Sequence, residues 1–136
     1  MAGKRGLIMG VANSRSIAWG IAKSCADHGA ELAFTYQGDA TKKRVEPLAA
    51  EVGSTIVWPC DVSDMASIDA TFDVLKEKWG KLDFVVHAIG FSDKDELTGR
   101  YVDTSPENFK NTMFISIYSF TAIAQRAEKL MTDGGS

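Results

Sequence analysis

The sequence predicts an α/β protein built on a doubly wound parallel sheet. Short apolar segments alternate with longer amphipathic segments along the chain, which is the pattern of βαβ units around a parallel sheet. The first, third and fourth apolar segments are continuous rather than alternating, as expected for strands that are covered by helices on both faces. Right-handed crossovers then give the strand order 3-2-1-4, in which the direction of winding reverses between strands 1 and 4.

The short apolar segments define the strands. They are Gly6–Met9, Glu31–Tyr36, Thr55–Cys60 and Leu82–Ala88. Ligands of such folds bind where the winding reverses, outside the carboxyl ends of the strands. We therefore expect a site built from the residues just after Met9, Tyr36, Cys60 and His87.

The helices are predicted from apolar residues that recur every three or four positions. They are Ser16–His28, Ala40–Glu51, Met65–Trp79 and Pro106–Met131. Gly29 and Gly80 are predicted to end the first and third helices, and Asp64 is predicted to cap the third or to lie in its first turn.

Apolar stripes on three of these helices are expected to face the sheet. Phe114 and Tyr118 lie off the stripe of the fourth helix, so we expect that helix to carry apolar surface on a second side as well. The stripes are Ile17, Ile21 and Cys25 on the first helix, Ile68, Phe72 and Leu75 on the third, and Phe109, Met113, Ile117 and Phe120 on the fourth.

The composition is that of one soluble domain and excludes several classes of function. Apolar and charged residues make up 45% and 24% of the chain, and its net charge of −3 gives no general attraction to nucleic acid or to a membrane surface. Cys25 and Cys60 are far apart, without a CxxC pair or a histidine cluster, so we expect reduced thiols and no metal site. Asn13 to Arg15 interrupts the segment that resembles a signal peptide, and no run reaches the roughly 18 apolar residues of a membrane span. We expect a cytoplasmic protein.

The turn after the first strand reads GVANSRSIA, from Gly10 to Ala18. A glycine lets the chain turn sharply, and Ala12 and Ser16 are small enough for backbone amides to approach a pyrophosphate. The Ser16 hydroxyl can cap the following helix or donate to a phosphate oxygen. By itself the turn is equally compatible with an ordinary strand-to-helix connection.

The second strand is followed by Gln37, at the position where dinucleotide-binding units usually present a carboxylate to the ribose. An amide can still hydrogen-bond ribose or adenine, but it does not repel a 2′-phosphate. Lys42, Lys43 and Arg44 follow, although a charge run at a helix start is more often a solvated face. NADP therefore stays open as an alternative to NAD.

The third and fourth strand ends complete the expected site. Asp61 can accept a hydrogen bond from an adenine amino group while Val62 packs against the ring; the alternative is that Asp61 only caps the next helix. Ala88 to Gly90 provide a floor of small residues for a ribose, and His87 is interpreted as structural. Because separate signals occupy four strand ends around one crevice, dinucleotide binding becomes the leading hypothesis.

These residues resemble the short-chain dehydrogenase/reductases and, within them, the bacterial enoyl-acyl-carrier-protein reductases. The long first turn, Gly-x5-Ser-Ile-Ala, is typical of that subfamily, and the stretches GAELAFTYQ, CDVSDMASID and VHAIGFS are similar to their counterparts in it. The resemblance covers essentially the whole chain and implies a Rossmann-type sheet that binds NAD (NADH). It also implies a role for each of the candidate residues. Around the pyrophosphate and the nearby ribose it places Gly10, Ala12, Ser16 and Ile17, and around the adenosine it places Gln37, Asp61 and Val62. Ile89 and Gly90 would lie along the ribose, Ile115 would close one side of the pocket, and Ser92 would lie where the acyl substrate passes.

The activity that the resemblance implies is hydride transfer from NADH to the β-carbon of a trans-2-enoyl thioester on acyl carrier protein, in fatty acid biosynthesis. The enolate oxygen that develops needs a hydrogen-bond donor. The family's Tyr-x6-Lys pair lies beyond a fifth strand, which should begin at the final MTDGGS, so no catalytic residue is expected in this chain. Tyr36 and Lys43 have the same spacing but follow the second strand, and we interpret that match as chance.

Residues 1–136 are thus expected to be the N-terminal part of a single dinucleotide-binding domain in a protein about twice as long, with the edge of the fourth strand unpaired. The 136 residues alone are expected to be inactive, and the complete protein is expected to be a homotetramer. A Gly10→Val substitution is expected to weaken cofactor binding while the fold survives. The alternatives are another reductase of the superfamily, such as a 3-oxoacyl reductase, which the long first turn argues against, and a nucleotide-binding module without catalysis.

Overall fold

The computed structural model describes residues 1–131 and 133–136, which form a four-stranded sheet with helices on both faces. Every strand pairing is parallel, and the order β3-β2-β1-β4 confirms the predicted fold class and strand order. The strands are β1 (Arg5–Met9), β2 (Glu31–Tyr36), β3 (Ile56–Pro59) and β4 (Phe84–His87).

The helices follow the strands in the predicted alternation, with a different ending. They are α1 (Ile17–Asp27), α2 (Gly38–Glu51), α3 (Met65–Trp79), α4 (Pro106–Met113) and α5 (Ser119–Ala127), with a π-helical segment (Phe114–Tyr118) between the last two and short 3-10 turns at Lys94–Glu96 and Tyr101–Asp103.

The two faces of the sheet have separate apolar cores. Side chains alternate across a strand, so Leu7 and Met9 of β1 pack on the side of α3 and α5, whereas Ile8 packs on the side of α1 and α2. Burial on both faces explains why β1 is a continuous apolar run in the sequence.

Helix α3 agrees with its prediction in bounds, buried face and ends. Ile68, Phe72 and Leu75 are buried against the sheet. The Asp64 carboxylate accepts a hydrogen bond of 3.0 Å from the Ala66 amide, so Asp64 is the cap of this helix. Gly80 ends it with a left-handed φ of 69°, the conformation that glycine adopts most easily.

The predicted sheet-facing stripe of α1 is wrong for Ile17 and Ile21, although its third member, Cys25, packs against the core of that face. Ile17 is 79% exposed and Ile21 is also exposed, whereas Ala18, Trp19 and Ala22 are buried. Small alanines let the helix approach the sheet closely, and the Trp19 ring packs against Phe34 of β2 at 6.4 Å between centroids. Counting only large apolar residues four apart therefore selected the neighbouring face.

The fourth predicted helix differs from its prediction in continuity and in its buried face. The single helix Pro106–Met131 is instead α4, the π-helical segment and α5, and α5 ends at Ala127. The expected stripe is exposed, and the buried face lies about one residue further round the helix, where side chains are smaller or polar. The exposed residues are Phe109, Met113, Ile117 and Phe120, and the buried ones are Asn108, Ser119, Ala122, Ile123 and Ala127.

The outer edge of β4 is partly paired, contrary to expectation. The Leu82 amide donates to the Leu130 carbonyl and the Val85 amide donates to the Ser136 carbonyl, each at 2.9 Å. The Ser136 amide in turn donates to the Asp83 carbonyl at 3.0 Å. These bonds satisfy backbone groups that an open sheet edge would leave exposed.

Candidate cofactor-binding site

A cavity of about 440 Å³ opens at the carboxyl ends of the four strands. Residues that follow every strand contribute to its wall, as the reversal of winding between β1 and β4 requires. Most of the candidate residues line it together: Gly10, Ala12, Gln37, Asp61, Val62, Ile89, Gly90 and Ile115.

Gly10 joins the end of β1 to the cavity in a conformation that needs glycine. Its φ is +97°, a region that residues with a Cβ rarely adopt. A Cβ built on Gly10 would also overlap the carbonyl oxygen of Ala88, in the backbone just after β4. That Gly10→Val spares the fold stays a prediction, but the overlap means that the substitution costs stability, because any side chain here displaces backbone at the end of the sheet.

Ser16 braces the turn rather than capping the helix that follows it. Its Oγ accepts hydrogen bonds from the amides of Ala12 and Asn13, both at 3.0 Å. The Ser16 side chain therefore makes no capping hydrogen bond to the amides at the start of α1. Unpaired amides at a helix N-terminus attract anions, and the Ser16 hydroxyl still has its own proton to donate.

Asp61 lies in the cavity wall as an ionised acceptor. Its carboxylate accepts hydrogen bonds from the Ser63 hydroxyl at 2.6 Å and from the Ser63 amide at 2.8 Å, and Gln37 also donates to it. The Ser63 hydroxyl, above all, holds the pKa of Asp61 below its ordinary value. Since Asp64 caps α3, the alternative that Asp61 serves only as that cap is excluded.

The β4 side of the cavity is held by the π-helical segment. Ile89, Gly90 and Phe91 continue the chain from β4 along the wall, and Ile115 closes it from the helix. The Ser116 hydroxyl both accepts a hydrogen bond from the Phe91 amide at 3.0 Å and donates one to the Phe91 carbonyl at 3.2 Å.

His87 is hydrogen-bonded to the helix that follows this segment and is not among the residues that line the cavity. Ser119 donates its hydroxyl proton to the Ile115 carbonyl at 2.6 Å, so its oxygen accepts from His87 Nε2 at 2.8 Å. This network assigns the proton to Nε2. Burial lowers the pKa of His87, which keeps the ring neutral and agrees with a structural interpretation.

Three candidate residues lie outside the cavity lining. Ser16 is the last residue of the turn before α1, and Ile17 is the first residue of that helix. The Ser92 hydroxyl is directed to α4, where Asn108 Nδ2 and Thr112 Oγ1 donate to it at 3.2 Å and 3.1 Å. A second, open cavity of about 580 Å³ adjoins this region and shares Phe91 and Asn111 with the first.

Several lining residues were missed by sequence reasoning. Thr41 lies one turn into α2, Asn111 lies in α4, and Phe91 follows the small residues after β4. Cys60 was located at a strand end but given no role; it is a buried residue of the cavity lining, and burial raises the pKa of its thiol. Tyr36 also lines the cavity, with the Lys42 ammonium 5.8 Å from its ring centroid.

Two other features limit the chemistry of the described residues. Among them, no group of three or more histidine, cysteine or acidic side chains is arranged to hold a metal ion. In the same part of the chain, no helix has the length and apolar character to cross a bilayer.

The fold and the cavity together define a Rossmann-like α/β domain with a site at the reversal of winding. Comparison with known proteins makes this more specific. The family model described as enoyl-(acyl carrier protein) reductase matches residues 10–136. This chain belongs to that family.

Individual relatives agree with the family assignment. The chain is 70% identical over 136 residues to enoyl-[acyl-carrier-protein] reductase [NADH] 1 of Rhizobium meliloti (strain 1021), which covers 100% of this chain and 50% of the relative. The structure of this chain is similar to that of the Anaplasma phagocytophilum enzyme in complex with NAD, with a TM-score of 0.95 and 61% identity. The match covers 99% of this chain and 52% of that enzyme. The Bacillus cereus enzyme with NADP+ and indole naphthyridinone gives a TM-score of 0.94 and 42% identity, and the match covers 97% of this chain and 52% of that enzyme. The chain therefore spans about half the length of these relatives.

Proposed function

We propose that the full-length gene product is an NADH-dependent enoyl-acyl-carrier-protein reductase of fatty acid biosynthesis, and that this chain holds most of its cofactor. The observation that carries the proposal is the convergence of Gly10, Gln37, Asp61 and Ile89 on one cavity in a member of this family. The relatives' names supply the substrate and the cofactor.

The residues present fit a dinucleotide by the chemistry of their donors and acceptors. The start of α1 offers amides and the Ser16 hydroxyl proton to a pyrophosphate, which prefers such donors. Asp61 is kept ionised by Ser63, so it can accept from an amino group of adenine. The negative charge of Asp61 and the positive end of α1 are thus matched to opposite parts of one ligand.

We assign the pyrophosphate and its nearer ribose to Gly10, Ala12, Ser16 and Ile17. Gly10 keeps the turn tight against Ala88, and Ser16 fixes the amides of Ala12 and Asn13 in place. Ile17, exposed at the first position of α1, covers the cofactor from the solvent side.

The adenosine half is assigned to Gln37, Asp61 and Val62. Gln37 donates its amide proton to Asp61, and its amide oxygen is not used in that bond. An amide oxygen can accept from a ribose hydroxyl, and NADH is the favoured cofactor because the relatives are NADH-dependent reductases. NADPH is the second candidate, because Lys43 and Arg44 are exposed at the start of α2 and could pair with that phosphate.

The opposite end of the cofactor is assigned to the β4 side, along Ile89, Gly90 and Ile115, with Ser92 near the passing acyl chain. NADH, when bound, supplies the hydride that reduces the β-carbon of the enoyl thioester. The described residues shape this end of the site and exclude water from it; none of them is assigned as the donor to the developing enolate.

An oxidation assay tests the proposal directly. The full-length gene product should oxidise NADH only when a crotonyl thioester is present, and it should bind NADH more tightly than NADPH. Asp61→Ala should raise the Kd of NADH by about tenfold, since a hydrogen bond to a charged group is lost.

Asp64→Ala is the matched control for that variant. It removes a carboxylate three residues away that caps α3, so it should lower stability by about 1 kcal/mol without changing NADH affinity. NADH binding without thioester-dependent oxidation would instead indicate a nucleotide-binding module, and oxidation driven only by 3-oxoacyl substrates would indicate a different reductase.

The protein is further proposed to be a cytoplasmic homotetramer. The α4–α5 region exposes several large apolar side chains, and monomeric proteins rarely leave large apolar patches uncovered. This outer apolar face consists of Phe109, Met113, Phe114, Ile117, Tyr118 and Phe120. A second copy of the chain is the proposed cover.

A further inference from the structure

The inner side of the same helical region carries a polar stripe with a separate role. Asn108, Thr112 and Ser116 are spaced four residues apart, which places them on one side of the helix. All three contact the segment Phe91–Asp93, which follows β4 and the floor residues.

Ser116 holds the first residue of this segment through its backbone. Its hydroxyl accepts from the Phe91 amide and donates to the Phe91 carbonyl. One side chain therefore satisfies both backbone groups, as a neighbouring strand would inside a sheet.

Asn108 holds the next two residues from a buried position. Its Oδ1 accepts from the Asp93 amide at 2.9 Å, while its Nδ2 donates to Ser92 Oγ and to Glu96 Oε2, both at 3.2 Å. Glu96 in turn accepts from the amide and hydroxyl of Ser105 at 2.9 Å and 2.7 Å. The segment beyond β4 is thus fastened at consecutive points to the helix.

Phe91, the first residue of this segment, belongs to the walls of both cavities. With adenosine assigned to the ends of β2 and β3, the reacting end of the cofactor lies on the β4 side. Phe91 is the first large side chain beyond Gly90 on that side. It is placed to border the acyl thioester rather than the adenosine.

We propose that Ser116 and Asn108 are positioning residues that fix Phe91 where the enoyl thioester meets the cofactor, so that they determine thioester binding and leave NADH binding unchanged. This inference rests on the proposed function. It assigns to two helix side chains an effect on the substrate that they do not contact themselves.

Ser116→Ala in the full-length gene product removes both bonds to Phe91. The KM for crotonyl thioester should rise about three- to tenfold, as expected for the loss of two hydrogen bonds, while the Kd of NADH from fluorescence titration stays within about twofold. Hydrogen exchange at the Phe91 amide should become faster, because its acceptor is gone. Ser116→Thr, which keeps the hydroxyl, should restore the KM and the slow exchange.

Ser54→Ala is the matched control. Ser54 is also half-buried, and its hydroxyl donates to the Leu32 carbonyl at 2.6 Å at the opposite end of the sheet. This variant should lower the melting temperature while leaving the KM for the thioester unchanged.

An unchanged KM in Ser116→Ala, or an equal rise in the KM for thioester and the Kd of NADH, overturns the inference. If that variant does not fold, Asn108→Asp is judged by the same criteria, since it keeps an acceptor for the Asp93 amide but loses the donor to Ser92 and Glu96. A wild-type protein without thioester-dependent NADH oxidation would contradict the proposed function instead, and the exchange rate of the Phe91 amide would still report on the fastening.

Discussion

Replacing Gly10 with alanine tests two requirements at the first residue of the turn after β1, which are a positive φ and the absence of a Cβ beside Ala88. The φ of +97° is unfavourable for any residue with a Cβ. A Cβ there would also overlap the Ala88 carbonyl oxygen and lie 2.6 Å from the Ala88 carbonyl carbon. Because the Ala88 amide donates to the Met9 carbonyl at 3.1 Å, moving Ala88 aside disturbs the last hydrogen bond between β1 and the chain after β4.

The two requirements have separable magnitudes. A left-handed conformation costs a residue with a Cβ about 1–2 kcal/mol, and forcing extra atoms into a packed region costs about 1–3 kcal/mol. Gly10→Ala should therefore lower the free energy of unfolding by about 2–5 kcal/mol. Nucleotide binding should weaken as well, since the same backbone forms the cavity wall.

Two other glycines provide matched controls for the same substitution. Gly53 has a φ of +71°, but its Cβ would meet no described atom within 4 Å, so Gly53→Ala should show the conformational cost alone. Gly20 lies inside α1 with open space around it, so Gly20→Ala should stabilise the protein by about 0.5–1 kcal/mol. Urea unfolding at one protein concentration should rank the variants Gly20→Ala, wild type, Gly53→Ala and Gly10→Ala. A Gly10→Ala protein as stable as Gly53→Ala would refute the role of Ala88.

Three further substitutions test charge, assembly and cofactor choice. The Arg5 amide and the Lys4 ammonium lower the pKa of Asp83. The ionised carboxylate therefore stabilises the fold above its ordinary pKa of 3.8, and this stabilisation is lost as the pH falls through the pKa of the folded protein. Asp83→Asn should lower the melting temperature at pH 7, and the difference from wild type should shrink below about pH 3.8. Ile117→Glu on the outer apolar face should reduce the mass measured by light scattering while changing the free energy of unfolding of the separated chain by only about 0.5 kcal/mol; an unchanged mass would place the interface elsewhere. Gln37→Arg should shift the ratio of NADPH to NADH affinity about tenfold toward NADPH, as an added charged hydrogen bond would; an unchanged ratio would remove Gln37 from cofactor choice.

The sheet could be predicted because its signals are local. Apolar runs covered on both faces, glycines at helix ends and the Asp64 cap each depend on a few neighbouring residues. Chirality of the crossovers then fixes the order of strands, and the order fixes where their carboxyl ends meet. For that reason the sequence could predict that one cavity would be lined by Gly10, Gln37 and Asp61.

The direction of side chains beyond the strand ends could not be predicted in the same way. Ser92 was assigned by its position after β4, yet its hydroxyl is directed to Asn108 and Thr112. Ser116 gave no signal, because its role depends on a π-helical segment and on a backbone that is distant in sequence. Such contacts are set by tertiary packing, and neither spacing nor residue type contains them.

The helix faces show how a correct observation can support a wrong conclusion. The periodic rule detected real apolar stripes on α1 and on α4 through α5, but a stripe records only that one side of a helix is apolar. It does not say which surface covers that side. Alanine and serine score weakly as apolar residues, yet they let a helix lie closest to a sheet, so Ala18, Ala22 and Ser119 are buried while Ile17 and Ile117 are exposed. Where the small residues face the sheet, the large ones must be covered by something else, and this physical need leads from the fold to the proposed assembly and to a cofactor beside Ile17.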